Sequence, residues 1–343
     1  MADKASPVGV PSREEVAEES LKPEWVERAK LSYHTVELLG ATGNITEADV
    51  APIMKGAIDI HVHGYPEALV DTGWDFAEIC RAGYDAGMRA ICCKSHYVDT
   101  APMAYFVQQI MDAYAKESGR TDRFRVFGGV VLNYSVGGLN PVAVKTSLKL
   151  GGKCVWLPSH DAAHHRQVLG EEGGVEIVTA EGELVPEMHQ IFDLVARHDA
   201  ILDTCHLGTF ERFVVISEAR KAGVERVLVT HPQFSVNRAS PEQQADMARL
   251  GAYVGLYMYG TVPHFNNPGC DREEMLEVIR KVGPERLVLS TDHGSMLLPP
   301  PVEGMKLYIR LLLALGVARA DIETMVKHNP AWLLGLDKDV EEI

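Results

Sequence analysis

The stretch AIDIHVHG at residues 57–64 ends an apolar run on two histidines spaced two apart. In an extended chain successive side chains alternate between faces, so Asp59, His61 and His63 are expected on one face and Ile58, Ile60 and Val62 on the other. Burying two imidazoles side by side is costly without a partner, and a metal ion is the usual one. Three further apolar runs end in the same way: AILDTCH (200–206) at His206, RVLVTH (226–231) at His231 and RLVLSTD (286–292) at Asp292. Together His61, His63, His206, His231 and Asp292 offer nitrogen and oxygen ligands of the kind zinc accepts, with manganese, iron or cobalt also suited.

The elements that must position these side chains can be read from the alternation of β-rich and helical segments. Besides the runs above, RAICCKSH (89–96), FRVFGGVVLN (124–133), KCVWLP (153–158) and AYVGLYM (252–258) are dense in Val, Ile and Leu, as parallel strands buried on both faces should be. Helical patterns separate them, including 75–87, 103–119, 186–198, 211–223, 241–251 and 272–283. Eight strands alternating with helices predict an α/β fold, a (β/α)8 TIM barrel, in preference to an open doubly wound sheet. The candidate ligands then all sit at C-terminal strand ends, around one mouth. His206 is read on a face with Thr204 and Leu202, His231 with Val229 and Val227, and Asp292 with Ser290 and Val288. Residues 1–50 are read as an N-terminal arm and a helix (23–40) packing on the barrel, and 51–343 as the barrel itself. After the fourth strand, 159–185 is an insertion whose segment 174–185 alternates around Glu181-Gly182 like a hairpin.

In order and spacing these motifs resemble the amidohydrolase superfamily of metal-dependent hydrolases: HVH on the first strand, DTCH on the fifth, VTHP on the sixth, STDHG on the eighth. KHNPAWLLGL (327–336) is similar to that family's closing helix, and the resemblance spans roughly residues 50–337. It implies a hydrolase that cleaves an amide, cyclic imide, lactone or ester of a small molecule, with a metal-activated water as nucleophile. A metal-dependent decarboxylase acting on a small aromatic or unsaturated carboxylic acid is the alternative. Asp292 would carry the proton, and His231 would be a ligand or an oxyanion donor. One departure stands out. The Lys or Glu that bridges two ions at the end of the fourth strand is missing from KCVWLPSH, so one ion is preferred, with two left open. Lys94, at the end of the second strand, is a catalytic candidate as a carboxylated bridge or as a cation for substrate. His96, Asn133, Trp156, His160, Tyr257 and His293 are candidate substrate residues, with Tyr65, Pro66 and Glu67 bordering them. Arg238 is a second possible anchor for a carboxylate.

Composition narrows the rest. Of 343 residues 46% are hydrophobic and 24% charged, which suits a packed core. The net charge of −15 argues against nucleic acid and anionic membrane as partners, and no apolar run is long enough to span a bilayer. No signal-peptide core precedes the first helix, and the six cysteines lack finger-like spacing. The expectation is a cytoplasmic enzyme without disulfides, acting on a small molecule as a homo-oligomer.

Overall fold

In a computed structural model the described residues are 44–69, 71–264 and 269–337. The helix expected over 23–40 lies outside them. The first described helix, Glu47–Met54, buries Val50, Ile53 and Met54 and belongs to the unit Glu47–Ile343.

The strands are β1 (Ile58–His63), β2 (Ala90–Lys94), β3 (Arg125–Phe127), β4 (Gly129–Val131), β5 (Cys154–Trp156), β6 (Ile201–Asp203), β7 (Arg226–Val229), β8 (Tyr253–Tyr257) and β9 (Leu287–Ser290). All neighbours pair in parallel, in the orders β1-β2-β3 and β4 through β9. β3 and β4 are one run broken at Gly128. There the loop after β2 comes so close that a Cβ would meet the Thr100 carbonyl at 2.4 Å, and Thr100 N–H donates to the Gly129 carbonyl at 2.9 Å. The ring closes between β1 and the chain after β9: Asp292 N–H donates to the His61 carbonyl at 3.0 Å and His63 N–H to the His293 carbonyl at 2.9 Å. Helices fall between the strands, among them Phe76–Asp85, Ala101–Glu117, Pro186–Arg197, Thr209–Lys221 and Arg272–Val282. None of the described helices is long and apolar enough to cross a membrane.

Two apolar layers follow. Ile58, Ala90, Val131, Cys154, Ile201, Leu228, Tyr253 and Val288 form one cluster fed by strands all around the ring, so it fills the interior. Leu333, Leu334 and Leu336 of the last helical segment join it, and Arg89, just before β2, reaches the Leu336 carbonyl at 2.7 Å; this closes the N-terminal end of the barrel. Val130, Val155, Leu202, Val227 and Val229 face outward into a second cluster, with Ile191, Phe192 and Val215 of the helices.

That layering corrects two face assignments. Leu202, Val227 and Val229 point to the helices, so they do not lie beneath His206 and His231 on an inner face. The strands stop at Asp203 and Val229, and the backbone takes left-handed turns at Cys205 (φ 45°) and His231 (φ 21°) before the imidazoles reach the mouth. Nor do Asp59, His61 and His63 share a face by simple alternation. The register pairs Asp59 with Ile91 but Val62 with Cys93, a bulge of one residue that rotates the chain between them. Ile60 packs inside, His61 also reaches the inner chamber, and Asp59 turns to the last strand.

Between β5 and β6 the insertion holds a short helix, Ala163–Val168, an antiparallel bridge from Val178 to Leu184 and a parallel bridge from Ala162 to Val175.

Buried Asp59 accepts from Ser290 Oγ, from Thr291 Oγ1 at 2.6 Å and from Thr291 N–H at 3.1 Å, tying β1 to the end of β9. Asp59→Ala leaves those donors buried without an acceptor, so urea unfolding is expected to show a loss of about 1–3 kcal/mol. An unchanged midpoint would mean that the clamp does not hold the ring closed.

Candidate metal centre

The mouth gathers side chains from every quarter of the ring. His61 and His63 come from the bulged end of β1, Lys94 ends β2, and His231 and Asp292 follow β7 and β9. Asp292 itself is left-handed (φ 55°), and the next glycine is required: at Gly294 a Cβ would sit 2.2 Å from the His63 carbonyl oxygen. The turn aims the carboxylate back at β1. Asp292 Oδ1 lies 3.2 Å from His61 Nε2 and 3.3 Å from His63 Nε2, while Oδ2 lies 3.5 Å from His231 Nε2.

Burial alone would raise the Asp292 pKa, but His61, His63 and His231 around it hold it well below the usual carboxylate range. It is an anion at neutral pH. Burial, reinforced by the Lys94 ammonium, keeps His61 well below its ordinary value, and burial lowers His231 to about 4. Burial works against protonation of His63 too, yet its bonds to Asp292 and Glu67 outweigh it and the net shift is upward.

Trp156 and Tyr257 wall the chamber with their faces and edges. Their rings lie 6.1 and 5.1 Å from that of His61, and both are fully buried. Lys94 is buried as well, with Nζ 3.0 Å from His61 Nε2 and 3.5 Å from Cys205 Sγ. Burial opposes its charge, but Cys205, Asp292 and Asp203 together raise its pKa.

The donor set fits a divalent cation. One ligand atom each from His61, His63 and Asp292 lies within 4.8 Å of the others. His61 Nε2 faces an ammonium donor and a carboxylate acceptor at once, which a single imidazole nitrogen cannot satisfy in either tautomer. A cation between that lone pair and the carboxylate would give both a partner, with Lys94 turned to another acceptor. His61 Nδ1 and His231 Nδ1 are buried without a hydrogen-bond partner, so neither ring has its tautomer fixed by a protein acceptor.

The remaining predicted residues divide. His206 lies on the far side of His231, their rings 5.2 Å apart, and its close partners are His165, with Nδ1 atoms 2.8 Å apart, and His160, at 5.2 Å between rings. His96 stacks on His63 at 4.6 Å and meets Ser159 Oγ at 3.0 Å through Nδ1. Asn133 is a fully buried tie: its amide donates to the His96 carbonyl and to Ser159 Oγ and accepts from Ser159 N–H, so it joins three strand ends. His293 turns to the Pro299 carbonyl, 3.1 Å from Nδ1, and packs where Gly304 leaves room, so its ring does not join the cluster. Arg238 pairs with Glu274 on an exposed rim and leaves Lys94 as the cation beside the carboxylate.

From the sequence, the His164–His165 pair is one of several polar groups that could shape the pocket, with no ligand role, and Cys205, Asp203 and Ser159 are given no part. The one available signal was the density of histidine in HDAAHH (160–165).

The fold is similar to that of several solved proteins. One is an amidohydrolase from Pseudomonas aeruginosa, at 14% identity over 84% of this chain and 98% of that one, with a TM-score of 0.57. Another is an amidohydrolase from Burkholderia multivorans with bound zinc, at 10% identity over 81% and 99%, TM-score 0.50. A third is a dihydroxybenzoic acid decarboxylase from Polaromonas sp. JS666 with bound manganese and the inhibitor 2-nitroresorcinol, at 11% identity over 82% and 98%, TM-score 0.50. At such identities the likeness is one of fold. No curated protein matches the sequence. Residues 56–255 match the family of unknown function DUF6282, and the chain belongs to that family.

Glu67 supplies a pH test. Burial would raise its carboxyl, but His63 and the His96 N–H lower it from 4.5 to about 2. A depressed acid contributes stability that is complete above its unfolded pKa and is lost as pH falls through its folded value. In metal-free protein, Glu67→Gln is therefore expected to flatten the loss of stability between roughly pH 4.5 and 2. Identical acid-unfolding curves for the two proteins would contradict the contact.

Proposed function

We propose that the chain is a metal-dependent hydrolase that cleaves an amide, cyclic imide, lactone or ester of a small molecule, with Asp292 as the proton carrier. The observation that supports this most is the ionised Asp292 carboxylate shared by His61, His63 and His231 at a single mouth.

His61 Nε2, His63 Nε2 and Asp292 Oδ1 would hold one divalent cation, with zinc the first choice for this donor set. When bound, such an ion polarises a carbonyl and lowers the pKa of a water toward about 7. Asp292 Oδ2 would accept the proton of the attacking water and return it to the leaving atom. His231 Nε2, beside that oxygen, donates to the negative charge that develops on the substrate. Trp156 and Tyr257 keep bulk water from the reacting atoms. The fully buried Tyr257 hydroxyl has no hydrogen-bond partner and is free to meet the substrate. We assign Lys94 to the substrate's own negative charge, in preference to a carboxylated bridge. His96 and His160 line the approach.

Lys94 also favours the second reading, a decarboxylase of a small aromatic or unsaturated carboxylic acid, because it is a buried cation beside the chamber. Solved relatives of this fold include both chemistries. The six free cysteines, all buried, support a cytoplasmic setting. The exposed Tyr105 and Phe106 on Ala101–Glu117 support self-association.

Asp292→Asn is expected to lower turnover by roughly 10²–10⁴-fold. His61→Ala is expected to release the ion from this centre, read by elemental analysis. The substrate panel spans amides, lactones, esters and aromatic carboxylic acids, with product masses recorded. Addition of water marks the hydrolase, and loss of carbon dioxide marks the alternative. Full turnover by Asp292→Asn would remove the proposed proton carrier.

A further inference from the structure

The insertion after β5 does more than cover the barrel. It brings His160 and His165 to the mouth, and both meet His206 from the chain after β6. The rings of His165 and His206 stack at 4.9 Å with 11° between their planes, and their Nδ1 atoms are 2.8 Å apart. His160 stands edge-on to both, at 4.8 and 5.2 Å between ring centres. One ring nitrogen from each of the three lies within 4.8 Å of the others.

The local fold is built to deliver these rings. Ala163 N–H donates to the Val175 carbonyl at 3.1 Å, Val175 N–H to the Asp161 carbonyl at 2.6 Å, and Tyr134 N–H to Asp161 Oδ2 at 2.8 Å. The helix Ala163–Val168 so anchored sends its two adjacent histidines in opposite directions. His164 Nε2 goes to the Val236 carbonyl, 3.0 Å away, and His165 goes inward, where it is buried. As the pair stands, one Nδ1 donates its proton to the other, a single hydrogen bond that uses one lone pair of the two.

We propose that His160, His165 and His206 form a second metal site, separate from the His61–His63–Asp292 centre and selective for a borderline divalent cation such as zinc or cobalt(II). Two facing nitrogens share at most one proton, whereas a cation takes the lone pairs of both and of the third ring. No carboxylate belongs to the triad. Three neutral imidazoles suit zinc, cobalt, nickel or copper, and they are poor ligands for magnesium or calcium, which demand oxygen. His231 lies between the two sites, its ring 6.2 Å from that of His61 and 5.2 Å from that of His206. A substrate seated over His231 would face both cations.

The test is a titration of chelator-stripped, full-length protein with cobalt(II), read by visible absorption and by elemental analysis after gel filtration. Wild type is expected to bind two equivalents. His165→Gln and His160→Gln should each bind one and lose the absorption of a three-nitrogen site, and His61→Ala should lose the other equivalent. A hundredfold excess of magnesium should leave the His165-dependent equivalent in place. Circular dichroism and thermal unfolding check each variant, and His160, only partly buried, gives the same reading if His165→Gln does not fold. A wild type with a single equivalent that His61→Ala abolishes and His165→Gln spares overturns the second site and leaves the first intact. Two equivalents retained by both histidine-to-glutamine variants also overturn it. Loss of binding in His165→Gln alone would instead sink the first centre.

Discussion

The placement of one carboxylate governs this mouth. Asp292 reaches His61, His63 and His231 because the backbone turns left-handed on leaving β9. Among the described non-glycine residues that conformation occurs only at Asp199, Cys205, His231 and Asp292, and all but Asp199 lie at the mouth. Each such residue costs about 1–3 kcal/mol and persists only where its surroundings over-determine it.

Two buried acids provide that surrounding structure. Asp59 gathers Ser290 and Thr291, the residues just before Asp292. Asp203 does the same on the opposite side, accepting from Thr230 Oγ1, next to His231, and from Cys205 N–H at 2.8 Å, next to His206. Burial raises both carboxyls to about 6, a cost partly offset by those bonds. Each clamp sits one layer below a functional side chain and fixes the strand end that carries it. In the chamber above, burial keeps His61 and His231 toward the neutral form, Asp292 and Glu67 draw His63 the other way, and Lys94 supplies an ammonium, with Trp156 and Tyr257 as walls.

Much of this was legible in the residues. The apolar runs marked the strands, and their order brought His61, His63 and Asp292 to one end of the ring, where the structure places them in contact. The reasoning from alternation was less sound than the convergence it predicted. It holds for Val288 beneath Asp292, but it fails on β1, where the bulge rotates the chain, and beyond β6 and β7, where the strands end early. Period-two patterning cannot register a bulge or a left-handed turn at a non-glycine residue, since both are imposed by packing from distant strands. The same limit leaves the direction of His165 unread. Its inward direction depends on bonds from Tyr134 and Val175, and an adjacent histidine on the same short helix points outward. His293 shows the converse: beside Asp292 in sequence, it is turned away by the Pro299 carbonyl and the space at Gly304.

The central claim is that His61, His63 and Asp292 converge in order to share a cation. Anomalous diffraction from crystals of zinc-loaded protein, recorded on both sides of the zinc absorption edge, tests it most directly. A peak bonded to His61 Nε2, His63 Nε2 and an Asp292 oxygen is the predicted result. Loaded crystals with no peak among those three side chains, and with the Asp292 carboxylate still paired to the imidazoles, would contradict it.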